Sequence, residues 1–186
     1  VIVRYVMKTL QSDLQILRES GKDSFEILGR ELRVSGTFHG FRFKGFIDRF
    51  DAFGSDEVRV VDYKTGRVLD DDIFIDDGNA EAIAQKIFTP DVKDRPKIAL
   101  QFYIYDLLVQ GRDEVKGRNL YNCVYSTSRL FGEVPKAVPV NKVFFDSVSE
   151  KLKAVLDEMS DPDTGFRRTA DEGVCGFCDF KTICGR

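Results

Sequence analysis

The chain has no apolar run long enough to span a bilayer, which takes about 20 consecutive apolar residues; charged residues interrupt every hydrophobic stretch well before that. It also has no excess of basic residues. Twenty-eight Lys and Arg against 31 Asp and Glu give a net charge of −3 and a pI near 5.3, which argues against a protein gripping nucleic acid over its whole surface. The start, Val1-Ile-Val-Arg-Tyr-Val-Met7, has neither a basic leader nor a small-residue cleavage site and does not read as a signal peptide. With no initiator methionine, it reads as a fragment excised from a larger protein. Histidine is down to one residue, His39, whose place before Gly40 marks a hairpin turn. Cysteine is scarce: nothing precedes Cys123, and the other three crowd the C-terminal end. These absences lead to the expectation of a cytoplasmic protein with no membrane association. What is present, 42% hydrophobic and 32% charged over 186 residues, suits one globular domain with its own core.

Periodicity supplies the elements. Arg4 to Glu19 carries Met7, Leu10, Leu14 and Leu17 at helical steps of three and four, and Gly21 ends that helix. Extended runs over 27–38, 41–51 and 57–64, separated by His39-Gly40 and by Gly54-Ser55-Asp56, predict a three-stranded antiparallel meander. Asp70 to Gly78 is acidic, lacks the spacing of an EF-hand and reads as a solvated loop. A short helix is expected over 80–88, a break from Pro90 to Pro96, and a buried helix over 97–110 that is apolar around most of its circumference. Asn119 to Thr127 and Ala137 to Val140 read as strands. A second amphipathic helix over 141–159 has Asn141 as its cap, and Asp161-Pro-Asp-Thr-Gly165 stops it.

The chemistry gathers in the meander. Gly45-Phe-Ile-Asp48-Arg49-Phe-Asp51 and Val58-Arg-Val-Val-Asp62-Tyr63-Lys64-Thr65-Gly66 each place an acid inside an apolar strand. A carboxylate flanked by Phe46, Ile47 and Phe50, or by Val60, Val61 and Tyr63, is costly to bury unpaired. A hard divalent cation, Mg²⁺ or Mn²⁺, would offset that cost. Asp62 and Lys64, two apart in a strand, leave on one face, so an ammonium stands beside a metal carboxylate, the pairing that phosphodiester hydrolysis requires. The plainer reading is a strand-end ion pair between Asp62 and Lys64, with Asp48 paired to Arg49 or Lys44.

Gly-x-x-Asp, about fourteen residues, Val-Asp-Tyr-Lys-Thr-Gly, then Gln101-x-x-x-Tyr105 resembles the PD-(D/E)XK nuclease superfamily, and within it the RecB-like branch. The resemblance covers roughly residues 28–186. It implies an α/β (strictly α+β) restriction-endonuclease-like fold, with a mixed central sheet and its antiparallel meander flanked by helices. It also implies a Mg²⁺-dependent deoxyribonuclease or exonuclease acting in DNA repair or recombination, with DNA as substrate and a helicase domain or subunit of the parent protein as partner. On this resemblance Asp48 and Asp62 bind the metal, the Tyr63 carbonyl adds a ligand, Lys64 assists the attacking water, Glu31 neighbours the site, and Gln101 and Tyr105 orient the DNA. The branch usually takes a further His ligand from a helix before the meander, and the first helix here has none. That departure, with the acidic pI, leaves open a nuclease-like module that binds DNA or a helicase without cutting.

The tail, Cys175-Gly-Phe-Cys178-Asp-Phe-Lys-Thr-Ile-Cys184, packs three cysteines into ten residues, as a loop wrapping a metal or cluster does. The spacing resembles AddB-type nuclease domains, where a fourth, upstream cysteine completes a structural 4Fe-4S cluster, so residues 175–184 are expected to act as a staple in the full-length protein. With no cysteine before Cys123, the fourth ligand is expected outside this fragment; a zinc site shared with Cys123 is the alternative. With the cluster incomplete and the His ligand missing, the isolated fragment is expected to show weak or no nuclease activity, and the tail to rest on Phe177, Phe180 and Ile183 packed against the core, or to form a disulfide.

Overall fold

The computed structural model describes residues 1–90, 92, 94–165, 168–176 and 178–185. A long helix α1 (Ile2–Ser20) is followed by three strands, β1 (Glu26–Phe38), β2 (Phe41–Ala52) and β3 (Glu57–Lys64). Two helices, α2 (Ala80–Phe88) and α3 (Lys97–Val109), lead to β4 (Asn119–Ser126), β5 (Ala137–Pro139), α4 (Lys142–Ser160) and the short α5 (Glu172–Cys175). The five strands lie in chain order; β3 and β4 run parallel and every other pair antiparallel. The result is a mixed sheet flanked by helices, the restriction-endonuclease-like architecture.

Local chemistry explains the boundaries. Gly21, at φ 66°, is the left-handed cap of α1, its N–H donating to the Arg18 carbonyl while that of Lys22 reaches Leu17. His39 and Gly40, at φ 46° and 82°, form the two-residue loop joining β1 to β2, a turn that needs positive φ at both central positions. The Asn141 side chain accepts from the Phe144 N–H and starts α4. The acidic segment after β3 is less solvated than expected. Asp72 is buried, and its Oδ1 accepts from the N–H groups of Ile98 and Ala99 at 2.8 and 3.2 Å, capping α3 from a distance.

The core lies mainly on the α3 side of the sheet, where Val34, Ile47, Phe50, Val58, Val60 and Val124 meet Ile98, Phe102, Tyr105 and Val109. A second cluster joins α2 to α4 through Ile83, Ile87, Phe144, Val148 and Leu152. Two glycines let α3 settle on the β1–β2 hairpin. A Cβ at Gly36 would come within 2.9 Å of Leu108, and one at Gly45 within 2.7 Å of Tyr105.

Two sequence expectations fail here. The Met7, Leu10 and Leu14 stripe of α1 is about half exposed; the residues that α1 buries are Ser12 and Asp13. The reason is electrostatic: Asp13 is drawn to a buried arginine of β2, described below. The tail also lacks the expected packing, for Phe180 is 67% and Ile183 84% exposed, and Phe177 lies outside the described residues. All four cysteines are thiols rather than disulfide partners.

Candidate active site

The ladder between β2 and β3 ends at Arg49↔Val61, and the acids sit where the two strands part. Beyond that point the next β3 amide facing β2, that of Tyr63, is taken by a side chain: its N–H donates to Asp48 Oδ2 at 2.8 Å. Asp48 thus stands in for the missing backbone acceptor. Its Oδ1 has no hydrogen-bond partner among the described residues. The same spot is irregular on the β1 side. Arg30↔Arg49 and Leu32↔Ile47 are paired, while Glu31 and Asp48 between them are not, and Glu31 has a left-handed φ of 47°. Ile47 and Phe50, three apart, are both wholly buried in one cluster, so the alternation of β2 breaks at Asp48.

Asp62 is 2% exposed. Its Oδ1 accepts from Gln101 Nε2 at 3.1 Å, and its Oδ2 lies 2.8 Å from Lys64 Nζ. That second contact is an ion pair outside hydrogen-bonding angle, which leaves the lone pairs of Oδ2 uncommitted in a buried setting. Burial pushes the Asp62 carboxyl above the ordinary carboxylate range, the Asp48 charge adds to the rise, and Lys64 and Gln101 oppose it.

Gln101 joins the parts. Lys64 Nζ donates to its Oε1 at 2.8 Å, its Nε2 donates to Tyr105 Oη at 2.7 Å, and Tyr105 Oη donates to the Phe46 carbonyl at 2.6 Å. All the bonds of this chain run one way, tying β3 through α3 to β2 two residues from Asp48. Lys97, Gln101 and Tyr105 lie four apart on one stripe of α3. A groove of about 1330 Å³ opens beside Lys64, its border mixing Arg95, Lys97 and Arg168 with Asp72, Glu158 and Asp171.

The structure therefore brings Asp48, Asp62, Lys64, Gln101 and Tyr105 together and sets Tyr63 between the acids, its side chain pointing away toward Tyr125. Glu31 lies between the paired residues Arg30 and Leu32, outside the ladder, and is exposed, and among the described residues no group of three His, Cys, Asp or Glu side chains could hold a metal ion. His39, at the far tip of the hairpin, and the described cysteines of the tail belong to no such group.

Sequence reasoning missed the far side of these strands. Arg49 forms a two-pronged bond to Asp13 of α1 (2.9 and 3.0 Å), and its Nε lies 3.0 Å from Asp51. Asp51 is in turn gripped by Arg59 at 2.7 and 2.9 Å. Tyr125 Oη donates to Asp13 at 2.6 Å, and Phe25 and Phe53 lie against the guanidinium groups. This alternating chain of four buried charges pins α1 to β2 at the residue after Asp48. The signal in the sequence was Arg49 and Asp51, two apart on β2, with Arg59 set directly opposite Asp51 by the β2–β3 register.

A model of the PD-(D/E)XK nuclease superfamily matches residues 3–185. The chain belongs to that superfamily. A search of curated proteins finds no match. Among solved structures, one described as "Crystal structure of SSO0001" aligns over 94% of this chain and 68% of its own, at 16% identity and a TM-score of 0.39. Superfamily nucleases typically use divalent metals such as Mg²⁺. The donors here fit such an ion: two carboxylates with uncommitted oxygens, one of them buried, and no soft ligand beside them. No described helix is long and apolar enough to cross a membrane.

Proposed function

We propose that this PD-(D/E)XK nuclease domain is a Mg²⁺- or Mn²⁺-dependent deoxyribonuclease of RecB/AddB type, cutting DNA as an exonuclease in repair or recombination. Asp48 and Asp62 would hold the ion with the Tyr63 carbonyl, and Glu31 would neighbour the site as a further carboxylate. The ion supplies charge for the phosphate and a more acidic bound water. Lys64 neutralises the buried Asp62 in the resting site and is within reach of a phosphate oxygen at the groove mouth. In hydrolysis the water oxygen forms a bond to phosphorus, the bond to the leaving sugar oxygen breaks, and the water's proton ends on that oxygen. Gln101 fixes Lys64 and Asp62 relative to each other, while Tyr105 anchors Gln101 to β2; both border the path of the DNA strand.

The observation that carries this reading is Asp62, a buried carboxylate with open lone pairs, sharing its strand end with Asp48 and its face with Lys64. Incubating the protein with an end-labelled oligonucleotide in Mg²⁺, Mn²⁺ or EDTA tests it. Cutting in either metal and none in EDTA is expected; cutting unchanged in EDTA contradicts it.

We further propose that the parent protein is a cytoplasmic helicase–nuclease in which Cys175, Cys178 and Cys184 would give three thiolates to a 4Fe-4S cluster. Cys123 is a poor fourth ligand: it is 1% exposed among Val61, Tyr125 and Leu130, and burial pushes its thiol up to about 12, against the thiolate a metal needs. Iron and acid-labile sulfide analysis of the anaerobically prepared parent protein checks this, with about four irons per chain expected and zinc alone contradicting it.

A further inference from the structure

The β1–β2 hairpin outruns the sheet. β3 pairs with β2 only at residues 49–52, so residues 33–46 form a two-stranded arm projecting past the point where the acids converge. One face of the arm is covered: Val34, Gly36 and Gly45 lie under α3, and Phe38, Phe41 and Phe43 pack with the second core cluster. Strand alternation sends Arg33, Ser35, Thr37, Arg42, Lys44 and Phe46 to the other face, and all six are exposed.

The charge on that face is one-sided. The register sets Arg33 across from Phe46, Ser35 across from Lys44 and Thr37 across from Arg42. Arg33 lies over the Phe46 ring at 5.3 Å. Among the described residues, Arg33, Arg42 and Lys44 form no ion pair with an acid, although this protein carries more acids than bases. The nearest carboxylate on the same face of β1 is Glu31, at the base of the arm. Three cations, two hydroxyls and a half-exposed aromatic ring in an otherwise acidic protein form a surface suited to phosphate and sugar.

We propose that the outer face of this arm binds the sugar–phosphate backbone of nucleic acid extending beyond the metal site, with Arg42 and Lys44 on phosphates and Phe46, beside the fork, against a base or sugar. The proposal rests on the nuclease reading, since it takes the strand cut at Asp48 and Asp62 as the occupant. At about 3.4 Å per residue, Lys44 and Arg42 stand roughly 14 and 20 Å along the strand from Asp48. Only a substrate long enough to reach them gains from the arm.

The test compares the wild-type chain with Arg42→Glu/Lys44→Glu and with a charge-matched control, Lys116→Glu/Lys136→Glu, on exposed sites away from the arm. Fluorescent single-stranded and duplex oligonucleotides of about 8 and 30 nucleotides are titrated by anisotropy in Ca²⁺ at several salt concentrations, and cleavage is followed in Mg²⁺. For the long probes the arm variant is expected to lose about tenfold or more in affinity, with the salt slope reduced by about 1 to 2. The short probes and the control variant should behave as wild type. Unchanged long-probe binding in the arm variant, equal loss in the control, or poly-glutamate displacing the long probe as well as unlabelled oligonucleotide would each overturn the proposal, the last assigning the face to an acidic protein. The nuclease reading is tested separately by cleavage of the short probe. If that fails while the long probe still depends on Arg42 and Lys44, the arm stands and the assigned chemistry falls.

Discussion

The ring of Tyr105 lies so close over the α-carbon of Gly45 that a Cβ at position 45 would come within 2.7 Å of the ring's Cε1. The glycine of the G-x-x-D pattern is there for space, not for backbone freedom. It lets α3 bring Tyr105 to the Phe46 carbonyl and Gln101 to Asp62 and Lys64. Gly45→Ala must displace a buried ring held by two hydrogen bonds, so we expect a loss of about 1–3 kcal/mol in denaturant unfolding. Cleavage should fall further than stability explains, because the Gln101 relay moves with the ring.

The buried network behind the acids gives a second prediction. Arg49→Met leaves Asp13 and Asp51 buried with fewer partners, and such a loss costs about 3–5 kcal/mol. Adding Asp13→Asn removes one of the stranded charges. The double variant should therefore be more stable than the sum of the single losses predicts, by an interaction energy readable in a double-mutant cycle by urea unfolding. Strict additivity would mean that the Asp13–Arg49 contact does not hold α1 to the sheet.

Asp106, on α3, is 3% exposed, and burial pushes its carboxyl up to about 8. Asn122 Nδ2 donates to its Oδ2 at 2.9 Å, while Asp106 Oδ1 and Asn122 Oδ1 are both buried acceptors without a partner. A proton on Oδ1 would satisfy both, closing an acid–amide pair between α3 and β4. An unfolded aspartate titrates near about 4, so between about pH 4 and 8 the folded protein holds a proton that the unfolded chain has released. Stability from this pair is thus fully present below pH 4, declines as pH rises and is gone above about 8. Asp106→Asn, which carries a permanent donor, should flatten that slope in urea unfolding midpoints measured across this range.

Much of this was legible in the sequence. The meander and the buried helix over 97–110 follow from alternation and helical spacing, and Asp48, Asp62 and Lys64 stand out as charges embedded in apolar strands, all of which are local patterns; Gln101 and Tyr105 were marked out only by the resemblance to the nuclease motifs. What was illegible depended on distant partners. Asp13 looked like the polar side of an amphipathic helix, and only the chain's return as Arg49 and Tyr125 makes it the buried side while Leu10 and Leu14 face solvent. Asp72 looked like part of a solvated acidic loop, yet it caps a helix that starts 25 residues later. The arm's bare basic face needed the register of β2 against β3, which no one-dimensional pattern carries.

The central claim is that Asp62 holds the metal while Lys64 acts on phosphate and water, and calorimetric titration of Mn²⁺ into Asp62→Asn and Lys64→Ala, paired with cleavage of a labelled oligonucleotide, tests it most directly. Asp62→Asn should lose both Mn²⁺ binding and cleavage. Lys64→Ala should lose cleavage by at least about 100-fold while binding Mn²⁺ as well as wild type or better, because the ammonium that neutralises Asp62 has been removed. Equal loss of Mn²⁺ affinity in both variants, or full cleavage by Asp62→Asn, would contradict the account.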